Sequence, residues 1–162
     1  MRQTEIQFIR QQGFTTVDPD HRLYVALMFQ PRTIAAVLAL GVVLQSAWLF
    51  LALAAVLWWG TVFPAANLFD AAYNRLVSYP RGLPPLGVAP APRRFALAMA
   101  ATVALVIGAA LLAGATLIAW GFEALFAIGS TAVVVGRVCA AANLYTRLTA
   151  TGIHAPFVPR RT

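Results

Sequence analysis

The chain has 162 residues, of which 60% are hydrophobic and only 10% charged, against about 25% charged residues in an average soluble domain. Mean hydropathy is +0.76, and no charged residue occurs between Arg32 and Asp70 or between Arg94 and Glu123. One soluble core cannot absorb two such stretches, whereas a bilayer can; a disordered chain, a disulfide scaffold and an ordinary soluble enzyme are excluded. The net charge of +7 is carried by twelve basic residues, all of them Arg. These arginines flank apolar segments, so they read as membrane-topology signals and no nucleic-acid partner is expected. The Ala- and Arg-rich, Lys-free composition points to a bacterial source.

Residues 1–18 are polar, contain Glu5 and Asp18, and lack the apolar stretch of a cleavable signal peptide. They are expected to form a cytoplasmic N-terminal segment, with the first span inserting uncleaved. Asp18-Pro19-Asp20 is a helix start: a cap, proline at the first position, and an acid near the positive end of the dipole. The apolar run Leu23–Phe29 follows, so residues 19–30 are expected as a short interfacial helix; the alternative makes them the beginning of the first span. A hydrocarbon core about 30 Å thick needs roughly 20 helical residues. The block Thr33–Phe69 is too long for one such helix and is read as a hairpin turning near Gln45-Ser46, with short spans over 33–45 and 48–66 inside a unit 31–79. The linker 80–92 holds five of the ten prolines and is expected as an extended cytoplasmic strap. The block Phe95–Gly136 divides near Ala113-Gly114-Ala115 into spans over 95–113 and 116–137, inside a second unit 93–149. Residues 150–162 are expected as a cytoplasmic tail.

Arg2, Arg10, Arg22 and Arg32 precede the first span, and Arg75, Arg81, Arg93 and Arg94 lie in the central connection. Arg137, Arg147, Arg160 and Arg161 end the chain. Four spans place every Arg on one side, which the positive-inside rule makes cytoplasmic; three would split them. The expected fold is therefore an all-α integral membrane protein of the bacterial inner membrane, with four transmembrane helices as two hairpins and both termini cytoplasmic. Pro31-Arg32-Thr33-Ile34-Ala35 is similar to Pro92-Arg93-Arg94-Phe95-Ala96, and Ala65-Ala66-Asn67-Leu68-Phe69 to Ala141-Ala142-Asn143-Leu144-Tyr145. These matches are consistent with a pseudo-two-fold repeat about an axis along the membrane normal, with Asn67 and Asn143 at equivalent helix ends.

Val17-Asp18 with Arg22, the run Ala91-Pro92-Arg93-Arg94-Phe95-Ala96, and Gly136 to Tyr145 together resemble the bacterial membrane proteins grouped as domain-of-unknown-function family 4395. The resemblance covers most of residues 17–149. That family carries C-x-x-C-x-x-Y in the last segment; Cys139 and Tyr145 match it, and Ala142 stands in place of the second Cys. The resemblance implies a membrane protein without an established activity. A thiol-redox role with a thioredoxin-like protein is the function the Cys pair would suggest, and loss of one Cys puts it in doubt for this chain.

Glu123 is the one acid inside an expected span, and an intramembrane ionisable group is a functional candidate by default. It lies between Ala119 and Ala127 at four-residue spacing, and its structural role would be a hydrogen bond to Gln45 or Ser46 near the outer interface. Cys139 is expected at the cytoplasmic end of the fourth helix, where the negative end of the dipole disfavours a thiolate and a small buried thiol is the simpler role. His21 and His154 lie outside every span, so no His within the bundle can ligate haem or chlorophyll. Neither a metal-ligand cluster nor a phosphate or dinucleotide loop is present, so no catalytic, metal or cofactor site is expected. Ala96, Ala100, Ala104 and Gly108 form a ladder of small residues that would let helices pack closely. Trp48, Trp58, Trp59 and Trp120 are candidates for interfacial anchoring, and Trp58 and Trp59 also for contact with a partner. The expected function is a non-enzymatic accessory or scaffold subunit of a larger membrane assembly, respiratory and photosynthetic assemblies among the candidates, surrounded by membrane lipids and other membrane subunits. The alternatives are a thiol-redox partner using Cys139 and a small oligomeric transporter or channel using Glu123.

Overall fold

The computed structural model describes residues 2–14 and 21–151. Asp18-Pro19-Asp20, His154, Arg160 and Arg161 lie outside these residues. The described residues form seven α-helices and no strand: α1 (Gln3–Gln11), α2 (His21–Leu44), α3 (Ala47–Val62), α4 (Leu68–Tyr73), α5 (Ala91–Leu112), α6 (Thr116–Val134) and α7 (Ala140–Ala150). Of these, α2, α5 and α6 are long and apolar enough to cross a membrane, and α3 is equally apolar but has 16 residues. The four apolar helices pack in the cyclic order α2–α3–α5–α6, with α3 against α5 the most extensive pairing.

Residues 19–30 were expected as a separate interfacial helix, but from His21 the chain runs without a break to Leu44, through Pro31. An interior proline costs about 3 kcal/mol in helix propensity. Packing outweighs that here: Tyr24, Leu27 and Met28 are buried with Phe8 and Ile9 of α1 and Tyr73 of α4. α1 itself was not expected, because residues 1–18 read as uniformly polar. Only Phe8 and Ile9 bury themselves completely, and they do so because α2 and α4 supply a surface that the local sequence does not contain. Gly13 follows α1 with φ +87°, and a Cβ there would lie 2.9 Å from both Pro90 and Pro92, so glycine alone lets the exit of α1 touch the start of α5.

The turn at Gln45-Ser46 has Gln45 in the left-handed region, and the turn between α5 and α6 uses Gly114 with φ +70°. Gly108, near the end of α5, meets Leu51 and the Ala47 carbonyl at the start of α3. Both turns therefore lie at one end of the bundle. The other end holds α1, α4 and α7, and the ten described arginines lie toward it. Two apolar clusters result. One fills the bundle between Ile34, Leu38, Phe50, Leu57, Leu97, Ile107 and their neighbours; the other joins α1, the first turns of α2, α4 and Leu86.

α4 runs on through one widened turn, Asn74–Ser78, and a tight turn, Tyr79–Arg81, ending at Gly82 with φ +61°. The proline-rich strap is thus shorter than expected, since Pro80 joins this arm and Pro92 joins the first turn of α5. Its extended part is fixed to α4: Asn74 donates to the Leu86 carbonyl and accepts from the Leu86 amide at 2.7 Å, and Ser78 donates to the Leu83 carbonyl. The pattern of two apolar helices followed by a short one occurs twice, in α2–α3–α4 and α5–α6–α7. Asn67 and Asn143 are not equivalent within it. Asn67 caps α4 by accepting from the Phe69 amide, whereas Asn143 lies inside α7.

Candidate functional site

Between the two apolar clusters lies a polar layer that the sequence reading missed. The Arg93 guanidinium, near the start of α5, donates to both carboxylate oxygens of Asp70 (2.6 and 3.1 Å) and to Gln30 Oε1 (2.6 Å). All three side chains are buried. Asp70 and Gln30 come from α4 and α2, so one fork ties three helices together at the depth where the bundle meets its arginine-rich end. A bidentate Arg–carboxylate pair suits burial because the planar guanidinium matches the carboxylate and carries spare donors. Arg93 stood in the sequence beside Arg94, and both read as topology signals. Arg94 instead turns toward α3, donating from Nε to the Thr61 carbonyl at 3.0 Å.

The orientation of the Gln30 amide follows from its neighbour. Arg93 offers only donors, so the Gln30 oxygen must face it and the nitrogen must face away. That nitrogen is buried and makes no hydrogen bond, a deficit that costs about 1–3 kcal/mol in an apolar interior. Gln30 and Arg93 form part of the wall of a cleft of about 340 Å³ between α2, α5, α6 and α7. The upper walls of the cleft are apolar, from Met99 and Val103 on α5 to Leu125 and Phe126 on α6; its floor includes Gln12, Gln30, Arg93 and Cys139.

The small-residue ladder on α5 divides between two tasks. Ala104 and Gly108 are buried on the bundle side, with Gly108 against α3. Ala96 and Ala100 are only half-buried and face the cleft. The fourth helix was expected to reach residue 137, with Cys139 at its C-terminal end. It ends at Val134, and Arg137 reverses the chain with φ +57°. Cys139 is instead the N-cap of α7, with its amide donating to Gln11 Oε1 at 3.1 Å. The argument from the negative end of a helix dipole therefore does not apply to it. Its buried side chain belongs to the cleft wall; Ala142 of the same helix is also buried, and Tyr145 packs at a tilt against Phe95, 5.6 Å between centroids.

Glu123 and Cys139 are not brought together. Glu123 lies near the turn end, buried beside Ala119, and both its carboxylate oxygens accept from Gln45 Nε2 at 3.2 Å. Ala127 is exposed, so the packed face of α6 follows Ala119, Glu123 and Phe126. Arg137 pairs with α1. It donates to Thr4, lies 3.8 Å from Glu5 and sits over the Tyr24 ring.

Glu5 is the anchor of α1. Burial works to raise its carboxyl, but the Arg2 amide, the hydrogen bond from His21 and the charges of His21 and Arg137 outweigh this and hold it below its ordinary value. A depressed carboxyl contributes stability that is fully present above its ordinary range and is lost as the pH falls through the folded value. Hydrogen-exchange protection of the α1 amides is accordingly expected to persist at neutral pH and to collapse under acid conditions before the bundle opens. Glu5→Gln should weaken protection at neutral pH and flatten its pH dependence; an unchanged profile in that variant would show that Glu5 does not hold α1.

Comparison with curated proteins and with solved structures finds no match to this chain. The family model described as Domain of unknown function (DUF4395) matches residues 25–150, a segment that runs from the first turns of α2 to the end of α7 and contains the polar layer and most of the cleft wall. Matched over most of its length by this model, the strongly apolar chain belongs to the DUF4395 family.

Proposed function

We propose that this protein is a non-enzymatic, four-span membrane protein that serves as an accessory subunit of a larger membrane assembly, with its arginine-rich end and both termini in the cytoplasm. Support for the fourth span comes from α3 running alongside α5 from the Ala47–Gly108 contact at one end to the Arg94–Thr61 hydrogen bond at the other. Whatever depth α5 crosses between those contacts, α3 accompanies it. The side holding the arginines is the cytoplasmic one by the positive-inside rule.

The observation that carries the accessory role is an ordered aromatic patch at the lower end of α3. Trp58, Trp59, Val62 and Phe63 are all exposed. Trp59 packs at a tilt against Phe63, 4.6 Å between ring centroids, and donates from Nε1 to the Ala66 carbonyl at 3.1 Å. Pre-ordered tryptophans lose little entropy on association and are over-represented among the residues that dominate protein interfaces. Extraction from native membranes in mild detergent, followed by native mass spectrometry, is expected to yield an assembly heavier than the 17.3 kDa chain. In Trp58→Ala/Trp59→Ala the associated subunits should fall by about tenfold or more, the size of effect that truncating an interface anchor produces. A lone monomer from the unmodified protein would overturn the proposal.

A further inference from the structure

A second hollow lies at the arginine-rich end, between the arm that begins with α4 and the strap that leads to α5. Asn74 pins the strap to the arm at Leu86, and the next two residues, Gly87 and Val88, form part of the wall. Ala71 and Gly87 fill little of the space, and a Cβ at Gly87 would meet no atom within 4 Å. The hollow has a volume of about 600 Å³, within the range of about 300–1,000 Å³ typical of small-molecule sites. Its buried wall includes Asp70 of the polar layer, so in a bilayer it lies where hydrocarbon gives way to headgroups. The charges lining it do not cancel. Arg93 neutralises Asp70 on both carboxylate oxygens, whereas the exposed Arg75 has no hydrogen bond or ion pair among the described residues. One guanidinium, always charged and carrying five donors, thus lines the hollow without a counter-ion. Tyr79 adds a hydroxyl; its ring, Val88 and the neighbouring Leu76 are exposed.

We infer that this hollow binds the headgroup of one anionic phospholipid, its phosphodiester accepting hydrogen bonds from Arg75 and Tyr79 and its first acyl carbons covering Val88 and Leu76. The inference rests on the chain lying in a bilayer, not on the accessory role. An anionic phosphodiester supplies the charge that Arg75 lacks, and the planar guanidinium matches its paired oxygens. A zwitterionic headgroup would bring its own ammonium beside that guanidinium and gain less. Free phosphate could meet Arg75 but would leave Leu76, Tyr79 and Val88 in water, whereas a lipid covers them.

The full-length protein in detergent is titrated with dioleoylphosphatidylglycerol or with dioleoylphosphatidylethanolamine, and retained lipid is read by native mass spectrometry. Phosphatidylglycerol is expected to bind about tenfold more tightly, the size of effect of one hydrogen-bonded charge pair. Arg75→Gln should remove that preference. Gly87→Leu, which fills the hollow from the strap where a side chain meets nothing, should weaken phosphatidylglycerol about tenfold as well. Arg147 is exposed on α7 and lies outside the hollow, so Arg147→Gln makes the same change in net charge and should keep full binding. A large excess of inorganic phosphate at constant ionic strength should leave the lipid in place. Equal binding of the two lipids, an Arg75→Gln variant that matches Arg147→Gln, or displacement by inorganic phosphate would each overturn the inference. Trp58→Ala/Trp59→Ala should retain the lipid while losing associated subunits, so the two proposals fail separately.

Discussion

Arg93→Leu is expected to destabilise the protein by about 3–5 kcal/mol, the cost of leaving a buried carboxylate without its counter-charge. Asp70 is buried and loses its counter-charge, and the second acceptor of the layer, Gln30 Oε1, loses its donor at the same time. The measurement is a thermal midpoint in detergent, read by fluorescence-detected size-exclusion chromatography. Arg93→Lys keeps the charge but not the two-pronged geometry and should fall between the parent and Arg93→Leu. Removing every polar group of the layer, in Arg93→Met/Asp70→Leu/Gln30→Leu, should recover most of the loss, because no uncompensated group then remains. A midpoint for Arg93→Leu equal to that of the parent would mean that the three-way link does not hold these helices together.

The second large effect is expected at Gly108. A Cβ there would lie 2.7 and 2.8 Å from Leu51 Cγ and Cδ2 and 3.1 Å from the Ala47 carbonyl oxygen. The leucine tip has some freedom to move, but the backbone carbonyl does not, so Gly108→Leu must push α3 away from α5. Overpacking of this kind costs about 1–3 kcal/mol, and more where backbone must shift. Ala100→Leu enlarges a residue of the same ladder but points into the cleft, where space exists, and is expected to change stability by no more than about 0.5 kcal/mol. If the two substitutions proved equally costly, the ladder would be one continuous packing face, contrary to the division between α3 and the cleft.

These two predictions stand in different relations to the sequence. The ladder was legible as a row of small residues, since four-residue spacing on a helix keeps them on one side. Its division was not legible: which neighbour each step meets depends on the angle and register of α3, α6 and α7, and no local pattern encodes these. Arg93 was visible, but as one of two adjacent arginines after a proline. The partners that give it meaning are 63 and 23 residues away. The break after α6 is a similar case. Gly136 marks a weak point, yet the left-handed Arg137 is held by Thr4, Glu5 and Tyr24, residues from the opposite end of the chain. The hydrogen bond between Gln45 and Glu123 was legible because both stand near expected turns at the same end, so chain geometry limited what Glu123 could reach.

The sequence by itself determined the solvent. Sixty per cent hydrophobic residues and two charge-free blocks are properties of the chain's sum and order, and they dictate apolar helices whatever the packing. It also determined that the arginines lie toward one end, because tight turns at Gln45-Ser46 and Ala113–Ala115 force each helix back toward the side it came from. Only the tertiary structure decided that Pro31 lies inside a continuous helix, that residues 3–11 form a docked helix, and that Gln30, Asp70 and Arg93 meet. The reason is the same in each case. A local propensity is worth a few tenths of a kcal/mol to about 3 kcal/mol, and burial against a distant surface or pairing of a buried charge exceeds it. The scarcity of charge in the sequence is thus also what makes the buried Arg93–Asp70 fork matter, for it sits where the apolar bundle ends.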